Sequence, residues 1–263
     1  MMVINKPPNV VVHCGAGNWD VVKTVVGGIG KIMGETWWKE WKGYKGEYEG
    51  EEEEEEEGEE GVMDGMTTLE RFVYLESGGG EDARPGLVHR LDKGTSGAMI
   101  VALTTAKLTE LQGLFRDRKV DKTYIAVVEG RPKEEKGRIV NYLTRDRKDR
   151  RRFRVSPQDS GKKAVTNYEL LKHDGARGMS VVKVNIETGR THQIRVHMAS
   201  LGCPVVNDVE YGGGKRRRTT AGGRMLLHCW RMGWEEKEGR REWEADIEQG
   251  MRKVVEDIGA ELK

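Results

Sequence analysis

The chain is short of cysteine, of phenylalanine and of long apolar runs. Its three cysteines, Cys14, Cys203 and Cys229, are far apart, odd in number and free of any C-x-x-C spacing. They give no basis for a disulfide framework and fit an intracellular, reducing compartment. No stretch of eighteen consecutive apolar residues occurs, so no membrane-spanning helix and no membrane partner are expected. The opening Met1-Met2-Val3-Ile4-Asn5-Lys6-Pro7 has neither an apolar signal core nor an Arg/Ser-rich transit pattern. It enters a strand-like run at once, which leaves room for a start further upstream. Cytoplasm, organelle and nucleus all stay open.

Apolar residues make up 36% of the 263, enough for one core, and charged residues 34%. The net charge of +1 hides a division. Residues 1–83 hold 7 Lys/Arg against 19 Asp/Glu, or −12, and the remainder holds 38 against 25, or +13. The basic part suits a polyanionic partner.

A single domain over 1–263 is expected, with an acidic low-complexity insertion at 43–66. There Glu51–Glu57 is unbroken, and Gly43, Gly46, Gly50, Gly58, Gly61 and Gly65 flank it. Such a segment cannot bury apolar area and is expected to be disordered. Ahead of it, Val10–His13 reads as a strand and Trp19–Val26 as a helix or strand. Beyond Arg84 the pattern becomes regular. Ala98–Leu103 is a strand-length apolar run, and Leu108, Leu111, Leu114 and Phe115 have helical spacing behind a Thr104 or Thr105 cap. Tyr124–Val128 reads as a strand, and alternating Val182, Val184 and Ile186 as a half-buried one. A helix with Ile194, Met198 and Leu201 on one face should end at Gly202. Met225–Trp234 is strand-like, and Trp243, Ile247, Met251, Val254 and Ile258 form a helical core stripe. The sum is an α+β fold without βαβ alternation.

Four segments could carry chemistry. In Arg84–Gly97 a strand is expected to deliver His89, Arg90 and Leu91, and a Gly/Thr/Ser turn to leave Asp92 at its end. A positioned carboxylate can attack a sugar carbon; the alternative is an Asp that merely bonds turn amides. Tyr124 is either a core tyrosine or a flat face for a base. Glu187–His197 packs polar residues at a strand–turn–helix junction, where His192 and Arg195, three apart, should share a helix face suited to anions or RNA. His192, His197 and Cys203 fit no standard zinc spacing. Finally, Arg145–Arg154 gathers six arginines and Lys148 around Phe153, and Lys215–Arg218 is a shorter basic run. These suit a phosphate backbone, with solvated loop or nuclear-import patch as alternatives.

Taken together, these blocks resemble the RluA-type pseudouridine synthases. The resemblance rests on Lys6-Pro7 with His13, on His89-Arg90-Leu91-Asp92 with Thr95-Ser96-Gly97, on Lys122-Thr123-Tyr124, and on Thr188–His197. Pro204, Asp208, Tyr211-Gly212 and Leu226-Leu227-His228 are later echoes, and the match runs over roughly residues 3–30 and 84–234. It implies a mixed, largely antiparallel sheet with flanking helices and a central catalytic cleft. It implies isomerisation of uridine to pseudouridine in structured RNA, ribosomal or transfer, without metal, nucleotide or redox cofactor. Asp92 would be the nucleophile or the group that abstracts a sugar proton. Tyr124 would pack on the uracil and assist proton removal from C5. Arg195 would pair with Asp92, and Arg90 would fill the gap left by a flipped-out uridine. His89, Leu91, Thr95, Arg190, His192 and Gln193 would complete the RNA-binding set, and a monomer is expected. Three features depart from the pattern: Asn9 stands where the family usually has glycine, 31–83 is long and acidic, and no S4-like domain precedes the catalytic part. A catalytically silent RNA-binding factor of the same fold is the alternative; a metal-dependent hydrolase using His192, His197 and Asp208 is a second.

Overall fold

A computed structural model describes residues 1–9, 86–102, 105–149, 151–156, 160–212 and 221–262. The expectations for Val10–His13, Trp19–Val26, the insertion at 43–66, a Thr104 cap and Lys215–Arg218 lie outside those residues, and Thr105 is the first residue of the first helix. Ten strands and three helices are found among the described residues, in the order β1 (Met2–Lys6), β2 (Gly86–Leu87), β3 (Ser96–Ala102), α1 (Thr105–Arg116), β4 (Asp121–Glu129), β5 (Lys136–Arg145), β6 (Phe153–Val155), β7 (Lys162–Asp174), β8 (Met179–Ile186), α2 (Gln193–Ser200), β9 (Leu227–Glu236), β10 (Gly239–Glu244) and α3 (Gln249–Ile258).

The strands form one sheet in the order β1-β3-β9-β4-β8-β7-β5-β6, with β2 added to β3 and β10 to β9. Only the β3–β9 pair is parallel; every other pairing among the described strands is antiparallel. The α+β reading of the sequence holds.

The two-residue period of a strand divides the core. Tyr124, Ala126 and Val128 of β4 join Val182 and Val184 of β8 in one apolar cluster, together with Ile194 and Met198 of α2 and Leu111 of α1. The intervening Ile125 and Val127 join Val181 and Met179 in a second cluster, which α3 covers with Met251, Val254, Val255 and Ile258. The functional face is therefore the one that carries Tyr124, while α3 closes the reverse face. Each fully buried aliphatic side chain of α3 contributes roughly 1.5–3 kcal/mol. Its N-terminus is capped by the Glu248 carboxylate, which accepts from the amides of Gly250 and Met251, and Gly259 ends it at φ 79°.

Several local expectations change. β8 is central, and its first four residues are all buried, so it is not the half-buried strand its alternation suggested. Trp243 leaves the helical stripe: it sits in β10, where its ring packs on Trp234 at 4.7 Å. The stripe is completed by Ile247, just ahead of α3. The segment with His89–Asp92 is irregular rather than a strand, because regular pairing stops at Leu87 and resumes at Ser96. Asn9, standing where a glycine is usual, adopts the left-handed conformation at φ 64°, which its short polar side chain tolerates.

Gly97 lies at the parallel β3–β9 contact opposite Cys229, with φ 113°. A Cβ there would fall 2.2 Å from the Cys229 carbonyl oxygen. Gly97→Ala is therefore expected to destabilise the fold by about 3 kcal/mol or more, combining overpacking and backbone strain. Urea unfolding measures this, and a loss below 1 kcal/mol would contradict the tight approach.

Candidate active site

Three segments remote in sequence meet over the Tyr124 face. The 90–95 segment, β4 and residues 189–195, the turn before α2 with its first residues, line one open pocket of about 110 Å³, with Ile186 and Leu227 in its walls. Asp92, Tyr124 and Arg195 are all among its lining residues, as are Arg90, Leu91, Thr95, Arg190, His192 and Gln193.

Asp92 sits at the head of a turn that closes when the Thr95 amide donates to the Asp92 carbonyl at 3.0 Å. Leu91 is buried and anchors the segment. From the far side Lys6 of β1 donates to the Lys93 carbonyl at 3.3 Å and to Pro7 at 3.0 Å, so the buried ammonium props the turn. Burial pulls the Lys6 pKa down to about 7, against the attraction of the Asp92 carboxylate. The Asp92 side chain keeps 20% of its surface exposed, facing the pocket.

Arg195 is anchored differently from its sequence reading. Its Nη1 lies 3.6 Å from Asp92 Oδ2. Its short bonds go elsewhere: Nε donates to Asp208 Oδ2 at 2.6 Å, Nη2 to Asp208 Oδ1 at 2.8 Å, and Nη2 to Glu210 Oε2 at 2.5 Å. Burial opposes the charge on Arg195, but the Asp208 hydrogen bonds and charge, followed by Asp92 and Glu210, outweigh it and raise the pKa. The Tyr211 ring lies under the guanidinium at 4.9 Å, a cation–π contact.

Tyr124 is buried opposite Cys229 of β9, beside the register shift between Thr123 and Tyr124. Burial, then the neighbouring Cys229 thiol and the Asp92 charge, hold the phenol well above its usual value. It is therefore protonated at neutral pH, a better flat wall and hydrogen-bond donor than a base. Burial likewise pushes the Cys229 thiol up to about 12.

The remaining expected RNA residues divide. Arg90 is exposed in the pocket lining. His192 is not on the helix; it occupies the N-cap of α2 in the left-handed conformation, φ 57°. Its Nδ1 pairs with the Tyr211 hydroxyl at 2.9 Å, which in turn accepts the Phe153 amide at 2.8 Å. Gln193 is spent inside the fold: its Oε1 accepts from Thr188 and the Arg190 amide, and its Nε2 donates to Val165 and Thr166. That knot fixes the turn before α2. Arg190 Nε donates to the Lys163 carbonyl at 3.1 Å. Thr95 lines the pocket, but its Oγ1 is buried without a hydrogen-bond partner. His89 is outside the pocket lining: it stacks on Phe115 at 4.9 Å and accepts the Ile100 amide at 2.9 Å.

Glu210 is absent from the sequence reading, and Asp208 and Tyr211, which enter it as echoes of the resemblance and, for Asp208, as a hydrolase ligand, are given no place there beside Arg195. Two carboxylates and a tyrosine within four positions were the available signal, but nothing local ties them to an arginine thirteen residues earlier. Of the hydrolase ligand set, His197 is held by Thr166 and Asn141, each at 2.8 Å, and Asp208 by Arg195. Among the described residues, no group of three His, Cys, Asp or Glu side chains is arranged to hold a metal ion.

Fold and pocket together define an α+β protein with a carboxylate, a buried guanidinium and a buried tyrosine converging on one cleft across a mixed sheet. A sequence model of the RNA pseudouridylate synthase family matches residues 1–200, and the chain belongs to that family. Ribosomal large subunit pseudouridine synthase D of Borreliella burgdorferi is 41% identical over 154 residues, 58% of this chain and 45% of that protein. The protein of the same name from Zymomonas mobilis is 30% identical over 239 residues, 89% of this chain and 62% of that one. These names agree with the RluA-type resemblance. The chain thus spans about half the length of the curated relatives it matches. Human RNA Pseudouridylate Synthase Domain Containing 4 superposes with a TM-score of 0.65 at 21% identity, covering 99% of this chain and 90% of that structure, which shows the shared fold.

Three histidines near or behind this site are held neutral, His197 and His228 fully buried and His89 half-buried. Burial lowers the pKa of His89 to about 3 and of His197 and His228 to about 4. Unfolding lets each of them bind a proton at its ordinary value of 6.5. The unfolded chain then holds more protons below that pH, so stability falls as pH drops through it. Urea midpoints should fall between pH 6.5 and 5, above the range where most carboxylates titrate. A flat profile there would mean that these rings are not buried in their neutral form.

Proposed function

We propose that the protein isomerises uridine to pseudouridine in RNA. The convergence of Asp92, Tyr124 and Arg195 in a single cleft carries this reading, because the chemistry needs a nucleophile or base, a flat wall and a cation together. The reaction breaks the N1–C1′ glycosidic bond, turns the uracil and rejoins it through C5. Both C1′ and C5 are inaccessible within a stacked helix, so the target uridine must leave the stack and enter the pocket. Asp92 then attacks C1′ or removes a sugar proton, and the base packs on Tyr124. Arg195, its Nη1 3.6 Å from Asp92 Oδ2, aims the carboxylate by its charge. Arg90, exposed at the pocket, is in place to fill the gap the base leaves.

The β5–β6 hairpin supports an RNA partner. Arg145 stacks on Phe153 at 5.5 Å and Arg152 on Tyr211 at 5.3 Å, so two cations are held on aromatic faces next to the His192 wall. Phosphates approaching there would meet fixed rather than freely rotating charge. Ribosomal RNA is the first substrate to test, since the Borreliella and Zymomonas relatives are named for the large ribosomal subunit. Transfer RNA is the second. The proposal carries no cofactor and a reducing, intracellular setting, consistent with Cys203 and Cys229 being free and buried.

Carbodiimide modification with primer extension, on ribosomal and transfer RNA treated with purified protein, tests the reading. Wild type is expected to convert at least one uridine, and Asp92→Asn none. Arg195→Ala should lose ~10²-fold or more in kcat, the cost of removing one preorganised charge from such a site. RNA binding without conversion by wild type would instead identify a silent RNA-binding factor. Turnover by Asp92→Asn would remove Asp92 from its role.

A further inference from the structure

We infer that Asp208 is a positioning residue for the isomerisation, acting through Arg195 on Asp92; this rests on the function proposed above. The contact between Arg195 and Asp92 is single and long, 3.6 Å, and involves Nη1 alone. One such contact to a partly exposed carboxylate cannot fix the plane of a guanidinium. The Asp208 fork can, because two parallel bonds, at 2.6 and 2.8 Å, define both position and plane. With Nε and Nη2 engaged there, Nη1 is the nitrogen turned toward Asp92.

Asp208 is itself held on every side. Its side chain is fully buried. Its Oδ1 also accepts the amides of Glu210 at 3.0 Å and Tyr211 at 3.1 Å, and its own amide donates to the Val205 carbonyl. The 205–207 segment is bonded to β4: the Val206 amide donates to Val127 and the Glu129 amide to Pro204. The strand that carries Tyr124 thus sets the position of Asp208, and Asp208 sets Arg195. The same carboxylate orders Tyr211, whose hydroxyl holds His192 and the Phe153 amide. One buried aspartate therefore aligns the cation and the His192 wall against a common frame.

The test compares Asp208→Asn in two backgrounds, wild type and Arg195→Lys, which keeps a cation but cannot donate a planar two-bond fork. In wild type, Asp208→Asn should lower kcat at least tenfold with KM changed less than threefold. In Arg195→Lys it should cost less than threefold, because the interaction it removes is already gone. Equal losses in both backgrounds, or an unchanged kcat, would overturn the inference. If Asp208→Asn does not fold, Asp208→Glu serves in its place: it keeps the charge, displaces the fork and should show the same non-additivity. A second readout needs no turnover. The Arg195 Nε–H proton should exchange slowly with solvent in wild type and quickly in the Asp208 variant. Absence of pseudouridine formation by wild type would defeat the functional reading alone, and the exchange measurement would still decide whether Asp208 holds Arg195; equal exchange in both proteins would refute it.

Discussion

Everything at the site depends on keeping one buried guanidinium charged and oriented at the wall of the cleft. Arg195 is 6% exposed, and three carboxylates, Asp92, Asp208 and Glu210, converge on it. Desolvating such a charge is costly unless its donors are matched, and removing one partner of a buried pair typically costs about 3–5 kcal/mol. Here Asp208 matches it with two short bonds, so the burial cost is met away from Asp92. Asp92 is left with one long contact and an exposed edge, which suits the nucleophilic role proposed for it.

The sheet supplies the frame for this arrangement. Alternation along β4 sends Tyr124 to the cleft and Ile125 to the α3 side, so a single strand fixes both the aromatic wall and the packing behind it. β9 and β8 flank β4 on either side. Lys6 at the end of β1 reaches across to the turn after Asp92, tying an edge strand to the Asp92 segment. A loop carries Asp92, strand β4 carries Tyr124 and helix α2 carries Arg195, and the sheet holds the three in register.

Much of the fold was legible because strong local signals agreed. The apolar run of β3, the strand at Tyr124, the helix ending at Gly202 and the Asn9 turn all follow from pattern and backbone preference. The failures have physical causes. Trp243 matched a helical stripe by spacing, yet its strand is dictated by pairing with β9, which periodicity does not see. β8 alternated as a half-buried strand should, but its central place between β4 and β7 buries its other face as well. His192 was read as a helical residue because a left-handed N-cap leaves no trace in spacing.

The site divides along the same line. The sequence alone determined which residue types are on offer for the proposed chemistry: His89-Arg90-Leu91-Asp92 and Gly189–His197 are local motifs, readable because their order is chemical information. It also marked Arg145–Arg154 as a basic surface. Only the tertiary structure decided which of them meet. It brought Asp92, Tyr124 and Arg195 to one pocket, left His89 behind it against Phe115, and consumed Gln193 in holding its own turn. It also recruited Asp208 from beyond the motif. The reason is that a guanidinium's partners are chosen by distance and desolvation in three dimensions, quantities that spacing along a chain does not encode.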